Sequence, residues 1–272
     1  MMADGVLIKD DTRCVLGDCL EVMKDIEDGS VDMILCDLPY GLSTTTCKWD
    51  KMIPVDKLWA EYKRIIKGNG AICLFGTEPF SSLLRTSNLE MFKYDWIWEK
   101  NNAVGFVNAK RKPMNKYEII SVFSRGICAN TKYKERDMPY YPQGVKKVDK
   151  MVKKHYASES AKTKENTYFR PSHKDEYLKE YTNYPTNILK FKKTSKYVHP
   201  TEKPVALLEY LIKTYTKEGA LVLDNCAGSF STGVACMNTD RAFIGIEKEE
   251  RYFNMGVERL IQHKKELSER LF

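Results

Sequence analysis

Residues 220–247 read ALVLDNCAGSFSTGVACMNTDRAFIGIE, and this stretch decides the fold class. ALVLD is a short apolar run ending in an acid, which reads as a buried strand. DNCAGSF is a loop of small residues, Ser231 begins a helical segment, and AFIGIE is a second apolar run ending in an acid. Strand, helix and strand in so short a span form a βαβ unit, whose two strands must run parallel. The loop's small residues let a ligand approach the backbone and the helix N-terminus. It matches neither GxxxxGK[ST] nor GxGxxG, which excludes a nucleoside triphosphate P-loop. Glu247, closing the second strand, stands about where an acid grips a ribose in nucleoside-binding folds. An adenosine-containing ligand is the resulting expectation.

The same alternation extends outward. Residues 55–67 place Val55, Leu58, Trp59, Tyr62, Ile65 and Ile66 on one helical face, with Pro54 at the start and Gly68-Asn69-Gly70 at the expected stop, before the strand AICLF. Pro204 opens another helix through Leu207, Leu208, Leu211, Ile212 and Tyr215, ended by Gly219. KYDWIW (93–98) and EIISVF (118–123) read as an antiparallel pair at a sheet edge. The prediction is an α/β, doubly wound, Rossmann-like sheet, mostly parallel with an antiparallel edge. Four predicted strands end in acids, at Asp18, Asp37, Asp224 and Glu247. Ligands of open α/β sheets bind outside the carboxyl ends of the strands, so these acids are expected to ring one cleft. Capping of the following helix competes as a reading for Asp18.

Charge divides the chain. Residues 126–196 hold 17 Lys or Arg against 8 Asp or Glu and half of the 16 tyrosines, whereas the rest of the chain is close to neutral. Basic charge interleaved with Tyr, Asn and Ser suits a polyanion-binding surface, and a solvated insertion is the competing reading. The expected organisation is a first half over 1–125, a basic insertion over 126–196, and the second half of the same domain over 197–272. Eight cysteines without a CxxC pair read as reduced residues of a cytoplasmic protein. Four scattered histidines without HExxH give no metal site. No apolar run reaches membrane-spanning length, and MMADGVLIKDD lacks the blocks of a signal peptide.

The order of these motifs resembles the β class of amino-group DNA methyltransferases, in which the catalytic half precedes the cofactor half. Asp37-Leu38-Pro39-Tyr40 resembles the family's catalytic DPPY, HPTEKPVALLEYLI from His199 its HPTxKP segment, DNCAGSFSTG its cofactor loop, and FIGIEKEERYF its ribose-binding strand. GDCLEVM (17–23) and GFVNAKRKPMNKYE (105–118) are also similar. The resemblance implies S-adenosylmethionine as cofactor, held by Asp18, Cys19, Asp37, His199, Thr201, Lys203, Asp224, Asn225, Ala227, Gly228, Ser229, Ser231, Thr232, Glu247 and Lys248. Lys203 is expected to attract the cofactor's carboxylate. Double-stranded DNA is the implied partner, contacted by Lys110, Arg111, Lys112, Lys146, Lys147 and Lys193, with residues 126–196 as the target-recognition region. Whether the protein forms a homodimer is left open.

An exocyclic amine is a poor nucleophile because its lone pair is delocalised into the ring. A carboxylate and a carbonyl accepting its two N–H bonds favour the pyramidal geometry it needs. Asp37 is expected to supply the first and the Leu38 main chain the second, while Pro39 fixes the turn and Tyr40 stacks on a base extruded from the duplex. Asp at the head of the tetrapeptide favours adenine N6 over cytosine N4, and a catalytically silent DNA-binding relative is the reading of another class. Two departures from the family stand out. Leu38 replaces a proline, which backbone catalysis tolerates. Phe230 replaces a glycine, so its ring is expected to crowd the cofactor, to change the loop's conformation, or to cover the ligand as a lid.

Overall fold

The computed structural model describes residues 5–9, 11–41, 51–130, 132–153, 176–192 and 202–269. In chain order its strands are β1 (Val6–Lys9), β2 (Thr12–Leu16), β3 (Val31–Cys36), β4 (Ile66–Gly76), β5 (Phe92–Val104), β6 (Asn115–Phe123), β7 (Lys146–Lys153), β8 (Glu176–Thr182), β9 (Ile188–Lys190), β10 (Leu221–Asp224) and β11 (Ala242–Glu247). The helices are α1 (Cys19–Val22), α2 (Val55–Ile65), α3 (Phe80–Ser87), α4 (Val205–Tyr215), α5 (Ser231–Asn238) and α6 (Glu250–Glu269). Nine strands form one sheet in the order β1-β2-β11-β10-β3-β4-β6-β5-β9. From β2 to β4 all neighbours are parallel, and β4, β6 and β5 then pair antiparallel. This is the α/β doubly wound sheet with an antiparallel flank. The true margin beyond β5 is the short parallel strand β9, which has too few residues to leave a periodic signal.

Both faces of the sheet are covered, which is why its central strands are apolar throughout. In β4, Ala71, Cys73 and Phe75 face the core that includes residues of α4, α5 and α6, while Ile72 and Leu74 face the one that includes residues of α1, α2 and α3. Helix α2 buries Leu58, Trp59, Tyr62 and Ile65, the spacing of one face of a 3.6-residue period. Gly68-Asn69-Gly70 does not stop it. The helix ends at Ile65, the strand begins at Ile66, and the Gly-Asn-Gly run forms a bulge, because Val31 pairs with Ile66 but Met33 with Ala71. Gly70 is required there: a Cβ would stand 2.7 Å from the Asp32 carbonyl oxygen.

Pro142–Thr186 form a compact unit of their own, distinct from the unit made by residues 1–141 and 187–272. Its described part includes the antiparallel strand pair β7–β8, with Lys150 opposite Lys179 and Met151 opposite Leu178. This unit is shorter than the basic stretch 126–196, because Met138 and Leu189 at the two flanks are buried in the sheet's own core. No described helix is long and apolar enough to cross a membrane.

Candidate active site

The sheet changes direction between β10 and β3: β4 follows β3 on one side, and β11 and β2 follow β10 on the other. Such a switch point opens a crevice at the carboxyl ends of the strands. A cavity of about 700 Å³ lies there, and Asp18, Asp37, Asp224 and Glu247 all line it. Parallel pairing explains the convergence. Four strands that each end in an acid, set side by side in one direction, must bring those acids to one edge.

The two sides of the cavity are built differently. On one, Lys203 donates to Asp37 Oδ2, the Tyr40 hydroxyl donates to Asp37 Oδ1 at 2.9 Å, and Lys203 lies 3.3 Å from Glu118, which pairs with Lys100 at 2.5 Å. Two carboxylates and two ammonium groups thus alternate from Asp37 through Lys203 and Glu118 to Lys100, the first three of them in the cavity lining. Burial pushes Asp37 above the ordinary carboxylate range; Lys203 opposes this and the Glu118 charge adds to it. Burial also acts to raise Glu118, but Lys203 and Lys100 outweigh it and hold that carboxyl below its usual value. Desolvation would lower Lys203, and its two carboxylate neighbours raise it instead. The Tyr40 ring stacks on Phe80, with centroids 4.8 Å apart and planes 25° apart. Leu38 is buried among the residues beneath α2, which gives its departure from proline a packing reason.

On the other side, the carboxylates are held mainly by hydroxyl and backbone N–H groups of the loops around them. Asp224 accepts from Thr232 Oγ1 at 2.6 Å and from the Cys226 N–H at 3.2 Å, and burial pushes its pKa up to about 6. Glu247 accepts from the N–H groups of Gly228 and Glu249, both at 2.8 Å, and burial likewise raises it. Asp18 caps α1 through the Leu20 N–H at 3.0 Å and pairs with Lys248 at 2.9 Å, and it lines the cavity while it caps. The Lys248 hydrogen bond lowers its pKa. Cys19 and Cys226 also line the cavity, and the Asn225 side-chain amide donates to the Cys226 sulfur at 3.6 Å. Gly228 has φ +52°, and nothing lies within 4 Å of where a Cβ would stand, which leaves open space in the loop. Asn225 is held by the Tyr62 hydroxyl at 2.5 Å, and Arg259 donates to the Ser229 carbonyl, the Ser231 hydroxyl and Glu202.

Phe230 departs from every alternative that places its ring at the ligand. Its φ of 55° and ψ of 33° are left-handed, and that turn sends the ring away from the cavity. The side chain is fully buried, edge-on to Phe243 and Phe253 at 6.3 and 6.0 Å. Two glycines make the space: a Cβ on Gly256 would meet the ring at 2.0 Å, and one on Gly245 at 2.5 Å. The loop's conformation is the one that a glycine would adopt, and a core ring now stabilises it.

Among the residues singled out from sequence, Pro39, Leu38, Cys19, Lys203, Ala227, Ser229, Ser231, Thr232 and Lys248 line the cavity with the four acids, Tyr40, Asn225 and Gly228. His199, Thr201 and Lys193 lie outside the described residues. Lys110, Arg111 and Lys112 are exposed between β5 and β6, and Lys146 and Lys147 are exposed on β7. Sequence reasoning missed Glu118, Lys100, Tyr62 and Arg259. The signal for Glu118 was its place closing the GFVNAKRKPMNKYE motif.

A crevice at the switch point of a doubly wound sheet, with a catalytic-type Asp-Leu-Pro-Tyr turn on one side and a small-residue loop and a strand-terminal glutamate on the other, defines a class β methyltransferase. A family model described as DNA methylase, of the N6/N4 type, matches residues 31–258, and the chain belongs to that family. It is 28% identical over 257 residues to the DNA adenine methyltransferase YhdJ of Escherichia coli K12, covering 90% of this chain and 81% of that one. It is also 28% identical over 253 residues to the type II methyltransferase M1.MboII of Moraxella bovis, covering 88% and 92%. Among solved structures, the M1.HpyAVI–SAM complex is similar with a TM-score of 0.58 and 25% identity over 91% of this chain and 99% of that one. The cytosine-N4-specific PvuII DNA methyltransferase shares the fold, with a TM-score of 0.61 at 14% identity over 94% and 92%.

Proposed function

We propose that this protein is a site-specific methyltransferase that methylates the exocyclic N6 of adenine in double-stranded DNA, with S-adenosylmethionine as cofactor and the target base extruded into the cavity. The observation that carries the reading is the single cavity shared by Asp37 and the Asp224–Glu247 pair, one side suited to an amine and the other to a nucleoside. Its volume of about 700 Å³ falls within the ~300–1,000 Å³ usual for small-molecule sites. Glu247 and the open backbone at Gly228 fit a ribose, and the thiols and Asn225 floor the site. S-adenosylmethionine, when bound, supplies a methyl group on a sulfonium. Asp37 accepts one N–H of the amine and the Leu38 carbonyl the other, drawing the nitrogen towards a pyramidal shape. Lys203 keeps Asp37 oriented and favours its ionised form, while the burial that raises its pKa makes it a competent acceptor for the proton that the amine loses. One face of Tyr40 is covered by Phe80, and Tyr40 lines the cavity, where in this reading it stacks on the base.

Adenine is favoured over cytosine by the aspartate that heads the tetrapeptide and by the similarity to an adenine methyltransferase. The basic stretch 126–196, with Lys146 and Lys147 exposed on β7, supplies target recognition together with Lys110, Arg111 and Lys112. The ground for a catalytically silent relative was Phe230, whose ring stands in the core. The test is sequencing of modified bases in DNA from cells expressing the protein. N6-methyladenine at one defined sequence supports the proposal, N4-methylcytosine replaces its base assignment, and unmodified DNA overturns it.

A further inference from the structure

We propose that the hairpin joining β5 and β6 is a DNA-insertion device, with Phe106 and Val107 entering the base stack beside the extruded target and Lys110, Arg111 and Lys112 holding the flanking phosphates. The inference rests on the DNA-methylating function proposed above. Its root is in the cavity wall. Trp98 and Glu118 are cross-strand partners and both line the cavity, and the pairing resumes further out at Val104 and Asn115. Three residues along β6 span roughly 10 Å at ~3.3 Å each, about three stacked base steps. The hairpin therefore carries its tip beyond the part of β6 that lines the cavity.

The tip has the composition for entering a base stack. Phe106 is 79% exposed and Val107 is 93% exposed, with Val104 and Met114 exposed beside them. An apolar cluster this open, on a protein with a large core to hide it in, marks a contact surface. From residue 100 to residue 117 the chain has five Lys or Arg and no acid, a charge matched to phosphate. The tip is also ordered by its own backbone. Asn108 donates to the Gly105 carbonyl at 2.9 Å, Ala109 to that of Phe106 at 2.9 Å, and Arg111 to that of Asn108 at 2.8 Å. Gly105 supplies the left-handed φ of 94° that starts this turn. An apolar wedge on a rigid, cationic turn is suited to unstacking a base step.

The test compares three variants of the full chain with wild type, using unmethylated genomic DNA and radiolabelled S-adenosylmethionine. Phe106→Ala/Val107→Ala is expected to keep its melting temperature, cofactor affinity and duplex affinity within threefold, while the maximal rate of methyl transfer falls at least tenfold. Phe106→Trp restores that rate to within threefold, because an aromatic wedge is retained. Lys110→Ala/Arg111→Ala/Lys112→Ala weakens duplex binding and flattens the plot of log affinity against log salt by roughly two to three units. Transfer by the Phe106/Val107 variant at wild-type rate overturns the proposal, as does an unchanged salt slope in the cationic variant. A dimer of the wild type that the Phe106/Val107 variant loses, with transfer unchanged, would assign the patch to a second copy instead. No transfer by the wild-type chain itself refutes the methyltransferase reading, and this one with it.

Discussion

The two sides of the cavity hold their charges by opposite means. Around Asp224 and Glu247, the partners are a hydroxyl and backbone N–H groups: Asp224 is held by its own loop and helix, and Glu247 by Glu249 beside it and by Gly228 of the neighbouring loop. Around Asp37 and Glu118, the partners are side chains: Tyr40 from Asp37's own turn, and Lys100 of β5 and Lys203 from the segment before α4, which only the finished sheet brings to them. The first arrangement is a preformed receptor, since its carboxylates are held mainly by backbone and hydroxyl groups already in place. The second is exchangeable. Both oxygens of Asp37 are engaged, by Lys203 and Tyr40, so an incoming amine must take over part of a network that already balances. A nucleoside-binding side gains from rigidity, whereas a proton-accepting side gains from partners that can be displaced.

The sharpest way to break this contrast is Asp37→Ala. Methyl transfer should fall by at least ~10³-fold, of the order lost when a transition-state acceptor is removed, with DNA affinity largely intact. Near-normal transfer in a radiolabel assay would mean that the exchangeable side is not catalytic. Phe230→Gly tests the preformed side by a different quantity. Loss of the ring should destabilise the fold by about 3 kcal/mol, the usual cost of emptying an aromatic site less the ~1 kcal/mol relieved at a left-handed residue. Denaturant melts report that loss, and cofactor affinity of the folded fraction should shift by less than about threefold. A much tighter or weaker affinity would return the ring to the ligand.

Asp224→Asn probes the same side through pH. A carboxyl held near 6 in the fold, against about 3.8 in the unfolded chain, binds its proton more tightly when folded. Its ionisation therefore costs stability, fully above pH 6 and not at all below about 3.8. The asparagine variant should be more stable than wild type at pH 8, by up to about 2–3 kcal/mol, and equal to it near pH 4. A variant less stable at pH 8 would show that the Thr232 and Cys226 hydrogen bonds need the charge more than burial opposes it.

How much of this was legible in the sequence follows the same divide. The strand-terminal acids and the small-residue loop were readable because each is a local pattern whose meaning depends only on neighbours along the chain. Lys203 was read as a cofactor ligand, and in the structure its ammonium faces Asp37 and Glu118. Glu118 and Lys100 gain their role from the antiparallel register of β5 with β6, which no local spacing encodes. Tyr62 was visible as a core position, but its hydroxyl meets Asn225 across 163 residues of chain. Phe230 drew attention for a sound reason, the glycine it replaces, and misled because one left-handed residue reverses the side to which a side chain points.

The finest test falls on Glu247, where the preformed side meets the ligand most directly. Glu247→Gln keeps the size and one carbonyl oxygen, so one of the two N–H bonds from Gly228 and Glu249 survives and the other meets an amide donor. If a ribose hydroxyl also donates to this carboxylate, the variant loses a charge-assisted bond, and cofactor affinity should fall about tenfold, equivalent to ~1.4 kcal/mol. Calorimetric titration with S-adenosylmethionine measures it, and the direction with pH is fixed by burial. Because Glu247 is raised above the ordinary carboxylate range, wild-type affinity should decline as pH falls through the acid range, while the glutamine variant stays flat. Parallel pH profiles for the two proteins would place the ribose elsewhere and leave Glu247 as a clasp between the Gly228 and Glu249 loops.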